Sequence, residues 1–579
     1  MTGERSTATG NGAELLVDAL VRHGIDTVFG YPGDTGVAFY DALARRTADV
    51  RHVLVRDERH AGYMADGYAR TRRRLAVCEA ASGAGAVYLA GGLGESSASG
   101  IPVLVLTTDN NRRSAGTSAI SEVDQELLFA AVTKWRGRAE AAAEIPGLLA
   151  EAIAAATSGR PGPAVLVLPE DVLEEPAEVP GAEPAPAPPG FPAVRRAAPE
   201  EAVARVAALL GAAERPALLA GGGVHLSGAW PQLLRLAEHA ALPVATTIHG
   251  KGALDEAHPM SLGVAGSNGA REHAHAWLAG SDFALFAGTR ANATDTVGFT
   301  APPRGGPGIA HLDVDAARAG RTYPGAIPLV GDVATVLDQL RAAVPAAAEE
   351  VRARRTAELA AERRRWRRQV DAAPLPQTPP GVLRPREVVE VLRGAFGDAW
   401  VVADAGTPTP YLACHWETGG GGWRVVIPRG HGPMGYAVAA AVGVAVAHPG
   451  ERVLCLTTEN SVAMAVGEWE TAARLGLPIT YVVLDNTSMG WIKMIQHLYL
   501  GGRHFGVDPG PIDPVLLARG TGLPGARTHD LDELAGLAAA QVAGPRVLHV
   551  AVPEHHEAPP PVRPWQAALS GESTGRPIH

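Results

Sequence analysis

Cysteine, aromatic residues and long apolar runs are all scarce in this chain of 579 residues. Its three cysteines, Cys78, Cys414 and Cys455, lie far apart, which excludes a disulfide framework and any zinc-ligand spacing. All three read as buried thiols. The longest apolar run, near residues 434–447, is too short to span a bilayer. Residues 1–13 are polar and lack the apolar core of a secretory leader. A cytoplasmic protein with no membrane partner is therefore expected. An excess of positive charge is also missing. Lys and Arg total 51 against 61 Asp and Glu, a formal net charge of −10 spread along the chain. That excludes a general nucleic-acid binder but leaves room for a local basic pocket for phosphates.

Glycine and proline, by contrast, are plentiful (68 and 46), and they are interleaved with apolar runs as in a globular chain. The length implies three or four domains. Three blocks alternate strand and helix, so the expected fold class is α/β, with three doubly wound parallel-sheet domains. The boundaries read as residues 1–178, a Pro-rich extended linker at 179–196, a central Rossmann-like domain at 197–345, a charged and solvated helical linker at 346–383, a third domain at 384–556, and a loosely ordered tail at 557–579. Expected strands include residues 27–29, 52–55, 75–78, 103–106 and 164–168 in the first block. The second block has 216–220, 243–247, 283–287 and 309–314, and the third has 400–403, 453–457, 479–484 and 546–550.

Sites in open parallel sheets lie at the carboxyl ends of strands, and three such ends are informative here. Glu58 follows the run 51–55 and precedes a helix whose Ala61, Ala65 and Ala69 form one small face, suited to close packing beside a partly desolvated acid. The competing reading is a solvated helix N-terminus, where acids are common. Residues 453–461 form a buried strand turning into a helix at residues 462–475, and the next strand ends in Asp485-Asn486-Thr487-Ser488-Met489-Gly490-Trp491. Oxygen ligands at both strand ends suit Mg²⁺, which takes a carboxylate or two, amide and carbonyl oxygens and substrate phosphates. The helix start beyond Asn460 offers N–H groups to a diphosphate. Finally, Arg429-Gly430-His431-Gly432-Pro433-Met434-Gly435-Tyr436 precedes a small-residue helix.

With Phe29-Gly30-Tyr31-Pro32-Gly33 and Ser82-Gly83-Ala84-Gly85, these make five blocks in order over most of the chain. Together they resemble the thiamine diphosphate enzymes, in particular the acetohydroxyacid (acetolactate) synthase group. The resemblance implies that Glu58 protonates the cofactor's aminopyrimidine. It gives the Gly432 carbonyl and the Met434 N–H to that ring, and makes the Met434 side chain a wedge between the two rings. Tyr31, Pro32, Gly33 and Ser82 would border the cofactor from the substrate side. Glu459, Asn486 and the Ser488 carbonyl would hold Mg²⁺, and Asn460, Ser461, Met489, Gly490 and Trp491 would complete the diphosphate site. Glu58 and Met434 would come from different subunits, so a homodimer or homotetramer is implied.

The sequence also departs from the pattern. Where the family has Gly-Asp-Gly, this chain has Thr458-Glu459-Asn460. The longer acid places its carboxylate about 1.5 Å further out, and losing both glycines removes easy access to positive φ. On the substrate side the family's Gly-Gly-Ala becomes Asp34-Thr35-Gly36, a synthase glutamine falls at Ser121, and the acceptor-selecting tryptophan falls at Ile495, beside Gln496. Lys493 is a candidate for a substrate carboxylate or phosphate, and His431 for a general acid/base. The central block resembles the synthase flavin domain, with Gly221, Gly288, Arg290 and Asp313 as candidates for FAD. The same frame persists in relatives without flavin, and the reading without FAD is preferred. The function expected is a thiamine diphosphate- and Mg²⁺-dependent carboligase taking a 2-oxoacid-type donor in a specialised pathway. The alternatives are a non-oxidative 2-oxoacid decarboxylase and a non-catalytic paralogue acting as a partner subunit.

Overall fold

The structure, a computed structural model, describes residues 8–572 apart from residues 182, 186 and 270. Its frame is three six-stranded sheets, each parallel throughout. The first runs, in spatial order, Arg51–Leu54, Thr27–Tyr31, Ala76–Ala80, Val103–Asp109, Ala164–Pro169 and Trp135–Arg138. The second runs Ser261–Val264, Val244–Thr246, Pro216–Ala220, Phe283–Ala287, Gly308–Asp313 and Ile327–Val330. The third runs Val425–Val426, Trp400–Ala403, Val453–Thr458, Ile479–Asp485, Arg546–Ala551 and Gly525–Thr528. Inner strands such as Val103–Asp109 and Ile479–Asp485 are buried along their whole length, as expected of sheets covered by helices on both faces.

Counted along the chain, the first and third sheets share one strand order, 2-1-3-4-6-5, whereas the central sheet has 3-2-1-4-5-6. In such sheets ligands sit where the order reverses. That point falls after Thr27–Tyr31 and Ala76–Ala80 in the first sheet, and after Trp400–Ala403 and Val453–Thr458 in the third. In the central sheet it falls after Pro216–Ala220 and Phe283–Ala287.

Helix Glu58–Arg72 packs on helix Tyr436–Ala447, joining the first and third sheets through one continuous core. Ala61, Ala65 and Ala69 are fully buried in it. Two glycines allow the closest approach. A Cβ on Gly443 would overlap the Met64 carbonyl, and one on Gly67 would lie 2.6 Å from the Ala440 carbonyl oxygen.

Several expectations need correction. Five edge strands, Trp135–Arg138, Ser261–Val264, Ile327–Val330, Val425–Val426 and Gly525–Thr528, were not read from the sequence. They are only two to four residues long and most are incompletely buried, so their apolar signal is weak. The Pro-rich stretch is not a free linker. Pro176–Val179 pairs antiparallel with Ala8–Asn11, and the Pro189 carbonyl accepts from the Leu75 N–H at 2.8 Å. The helix placed at residues 462–475 is two helices, Glu459–Ala465 and Gly467–Leu475, and it starts early enough to put Glu459 in the first turn. Helix Glu349–Ala372 forms as expected but is docked rather than solvated on one side. Leu359 and Trp366 are buried there, and the buried Arg355 donates to the carbonyls of Ala213 (2.9 Å) and Ala240 (3.1 Å). Finally, the tail is not loose over its described part, residues 557–572. Helix Arg563–Leu569 buries Trp565, which with Val562 packs against Met494 of helix Gly490–Tyr499.

Candidate active site

At the reversal point of the third sheet lies a cleft of about 870 Å³. The two strand ends and the loop before helix Tyr436–Ala447 supply Gly406, Thr407, Gly432, Met434, Thr458 and Asn460 to its lining. The next strand end supplies Asn486, Ser488, Met489, Gly490 and Trp491, and the central sheet adds Asn268. Most of the candidates from the 430s, 450s and 480s therefore converge on one space. Asn460 Nδ2 donates to Glu459 Oε1 at 2.7 Å and to the Ser488 carbonyl at 3.0 Å, which ties the two strand ends together. Ser461 sits behind the lining, fully buried, with its N–H 3.4 Å from the Oγ1 of the capping Thr458.

Glu459 is not among the residues lining this cleft, but it sits behind Asn460 and is the electrostatic anomaly of the site. Its carboxyl is pushed up to about 8, first by burial and then by the charge of Asp485. Its Oε2 is buried with no hydrogen-bond partner, and so is Asn486 Nδ2. Native proteins rarely leave such atoms unpaired; an unfilled cation site accounts for the oxygen, whereas the amide N–H₂ is a donor and calls for an acceptor such as a phosphate oxygen. One carboxylate, two side-chain amides and a backbone carbonyl form a donor set suited to a hard divalent cation that keeps water or phosphate ligands. The residues present thus fit Mg²⁺.

Glu58 lies elsewhere and is not among the residues lining that cleft. It opens its helix behind Asp57, whose side chain caps the Arg59 N–H. Burial, followed by an opposing bond from its own backbone N–H and the charge of Asp57, leaves its carboxyl raised overall. A Cβ on Gly85 would lie 3.1 Å from Glu58 Oε1, so the Ser82–Gly85 turn abuts the acid. Around that turn runs a hydroxyl network. Thr35 Oγ1 is 2.8 Å from Thr108 Oγ1 and 3.4 Å from Ser82 Oγ, and Ser82 Oγ donates to Asn110 Oδ1 at 3.3 Å. Ser121, at φ 67°, backs onto Gly83. Asp34 is exposed and accepts from the Thr35 N–H at 2.9 Å. Pro32 is exposed, Gly33 half-buried, and Tyr31, Val87, Tyr88, Ile120 and Leu127 present bare apolar surface.

Four substrate-side expectations are corrected. Lys493 is not a free cation, because it pairs with Asp508 (2.7 Å) and Glu554 (2.6 Å). Gln496 exchanges hydrogen bonds with the Phe505 backbone at 2.8 and 3.0 Å, and so holds a loop. Ile495 packs toward the tail cluster of Val562 and Trp565, while Ile492 reaches the cleft. The His431 ring lies over Gly94, outside the cleft lining, with its Cδ2 3.0 Å from where a Gly94 Cβ would stand.

A separate cleft of about 860 Å³ occupies the reversal point of the central sheet. Gly288, Arg290 and Asp313 line it. Gly221 does not, although the following Gly222 and Gly223 do. Arg290 turns its guanidinium to the carbonyls of Arg429 (3.0 Å) and Gly430 (3.4 Å).

Sequence reasoning missed several residues. Asp404 accepts from the Ala437 N–H (2.9 Å) and Thr457 Oγ1 (2.6 Å), anchoring the helix behind Met434, and burial raises its carboxyl to about 6. Its place after strand Trp400–Ala403 was a readable signal; Arg429 stood at the head of the motif before helix Tyr436–Ala447 without being assigned to the cleft, and nothing local assigned Asn268 to it.

Comparison with known proteins agrees with this geometry. The thiamine pyrophosphate (thiamine diphosphate) enzyme N-terminal TPP binding domain matches residues 10–128, the central domain residues 203–340, and the C-terminal TPP binding domain residues 404–550. An acetolactate synthase large subunit of Parasynechococcus marenigrum (strain WH8102) is 33% identical, over 98% of this chain and 91% of its own length. A probable acetolactate synthase large subunit of Methanocaldococcus jannaschii is 32% identical over 90% of this chain and 88% of its own. The acetolactate synthase isozyme 1 large subunit of Escherichia coli (strain K12) is 31% identical over 96% of both. The chain belongs to the thiamine pyrophosphate enzyme family, in its acetolactate synthase-like group.

Proposed function

We propose that this chain is a Mg²⁺- and thiamine diphosphate-dependent carboligase acting on a 2-oxoacid-type donor, as the names of its synthase relatives suggest. The observation that carries the reading is the reversal-point cleft, lined by Asn460, Asn486 and Ser488, with Glu459 bonded to Asn460 just behind the lining and its Oε2 buried and unpaired. Glu459, Asn486 and the Ser488 carbonyl would hold Mg²⁺, and the cation would favour the ionised carboxylate that burial opposes. Thiamine diphosphate, when bound, supplies the electron sink for cleaving and forming carbon–carbon bonds. The protein's part is orientation and one proton. Met434 and the Gly432 carbonyl shape the ring site, and Glu58, whose raised carboxyl retains its proton more readily, would deliver that proton to the aminopyrimidine nitrogen.

Glu58 lies outside the cleft, against the Ser82–Gly85 turn, and the same domain exposes Tyr31, Val87, Tyr88, Ile120 and Leu127. A second copy covering that surface would complete the site, so we read the working unit as a dimer or a tetramer built from dimers. No helix among the described residues is long and apolar enough to cross a membrane. A cytoplasmic location is part of the proposal. For the central cleft we keep the reading without FAD, because Arg290 already serves the 429–430 loop. The visible spectrum of the purified protein tests this, and a flavin band would reverse it.

The deciding experiment is calorimetric titration of metal-stripped protein with thiamine diphosphate, with and without Mg²⁺. Magnesium-dependent binding, followed by carboligation products from a 2-oxoacid donor with an acceptor, is the expected result. Absence of binding would return the chain to the non-catalytic reading, and release of aldehyde alone to the decarboxylase.

A further inference from the structure

Glu95 has no part in the chemistry described so far, yet it is one of the most heavily bonded side chains in the molecule. It is fully buried on helix Gly94–Ser99 of the first unit. Three consecutive amides of the third unit point at its carboxylate, from Gly430 (3.1 Å), His431 (2.7 Å) and Gly432 (3.2 Å). Ser99 Oγ donates to it at 2.6 Å and Arg70 at 2.9 Å. Burial alone would raise its carboxyl, but the bond with His249 and the charge of Arg70 hold it far below the usual carboxylate range. Arg70 is already paired with Asp66, so this cluster of fully buried side chains contains two carboxylates and one guanidinium. The second negative charge needs a partner, and three aligned N–H dipoles supply one. On its other side the same loop gives its carbonyls to Arg290.

We propose that Glu95 is the positioning residue of the thiamine site: its carboxylate gathers the 430–432 amides and thereby fixes where the Gly432 carbonyl and Met434 stand in the cleft. This rests on the reading of that cleft given above. Glu95 does not line the cleft and acts only through the loop. Arg70 lies on the helix that Glu58 opens, so one helix carries the acid and braces the loop.

The test is Glu95→Gln in the full-length protein. The amide would turn an N–H₂ toward donors that now meet an anion. Thiamine diphosphate affinity, measured by calorimetry with Mg²⁺, should fall on the order of ten- to a hundred-fold, as when the outer partners of a bound metal are removed. Amide exchange over residues 429–436 should speed up, and kcat should drop with little change in the donor KM. Loss of thermal stability with affinity and exchange unchanged would overturn the proposal. Should Glu95→Gln fail to fold, Ser99→Ala removes only one of the bonds to Oε1. Smaller shifts in the same two readouts are then expected, and no shift in either overturns the idea. If the wild type itself binds no thiamine diphosphate, the functional reading fails on its own. Loop exchange in the variants still decides whether Glu95 anchors the segment.

Discussion

The two halves of the candidate site treat their polar atoms in opposite ways. In the domain that carries Glu58 the hydroxyls of Thr35, Ser82 and Thr108 bond to one another, and the bare feature is apolar: Tyr31, Val87, Tyr88, Ile120 and Leu127. Around Glu459 some apolar surface is bare as well, at Met464 and Ile492, but the distinguishing feature is polar: one carboxylate oxygen and one amide nitrogen, buried without partners. In the first half the hydroxyls of that network pair with one another, and its exposed apolar side chains call for a protein surface. The second is electrostatically incomplete and calls for a charge. A half-site built in advance and one finished by its ligand should respond differently to the same perturbations.

The sharpest contrast comes from the two acids. Glu58→Gln should lower turnover by on the order of 10²–10⁴-fold, the usual worth of a general acid/base, while Mg²⁺-dependent cofactor affinity stays near wild type. Steady-state kinetics beside calorimetry checks this, and full activity would remove Glu58 from the mechanism. Glu459→Ala should do the reverse to binding, weakening cofactor affinity by at least the roughly ten- to a hundred-fold that losing an outer partner of a bound metal costs. The same variant should melt higher than wild type in metal-free buffer, because it deletes a buried and partly unpaired acid. Unchanged affinity would take Glu459 out of the metal shell.

pH sharpens the comparison further. The folded Glu459 carboxyl titrates near about 8 against an ordinary 4.5. The unfolded chain therefore gives up this proton at lower pH than the native protein does. Metal-free protein should lose stability as pH rises from about 4.5 toward 8, and Mg²⁺ should restore it. Mg²⁺ affinity should climb by up to about tenfold per pH unit below 8, because the cation must displace one proton, and should level off above it. A flat profile between pH 6 and 9 would contradict the assignment. The smallest effect on catalysis is expected from Gly443→Ala, which overfills the joint between the helices of the two halves. A loss of about 1–3 kcal/mol in stability is expected, read as a lower Tm with little change in cofactor affinity of the folded fraction.

Much of this architecture was legible because the physics is local. Residues 103–106, 453–457 and 479–484 are continuous apolar runs ended by polar residues, the mark of a strand buried on both faces, and the structure puts inner strands there. Candidates at strand ends were readable for the same reason. Edge strands such as Trp135–Arg138 and Gly525–Thr528 were not, because partial exposure and glycine or arginine in the run erase the pattern. Lys493 and Gln496 were misread because a side chain's partner is chosen in space. Their ligands, Asp508, Glu554 and Phe505, come from loops that nothing in the helix sequence announces.

By itself, then, the sequence determined the strand–helix alternation, the positions of the polar strand ends and the chemical types placed there, since each depends on neighbours along the chain. Only the tertiary structure decided which strand ends share a cleft. It set the order 2-1-3-4-6-5 in the outer sheets against 3-2-1-4-5-6 in the central one. It also brought Glu95 under the amides of Gly430, His431 and Gly432, more than three hundred residues away. Those pairings depend on burial and on balancing charge between distant segments, and neither quantity exists until the chain has packed.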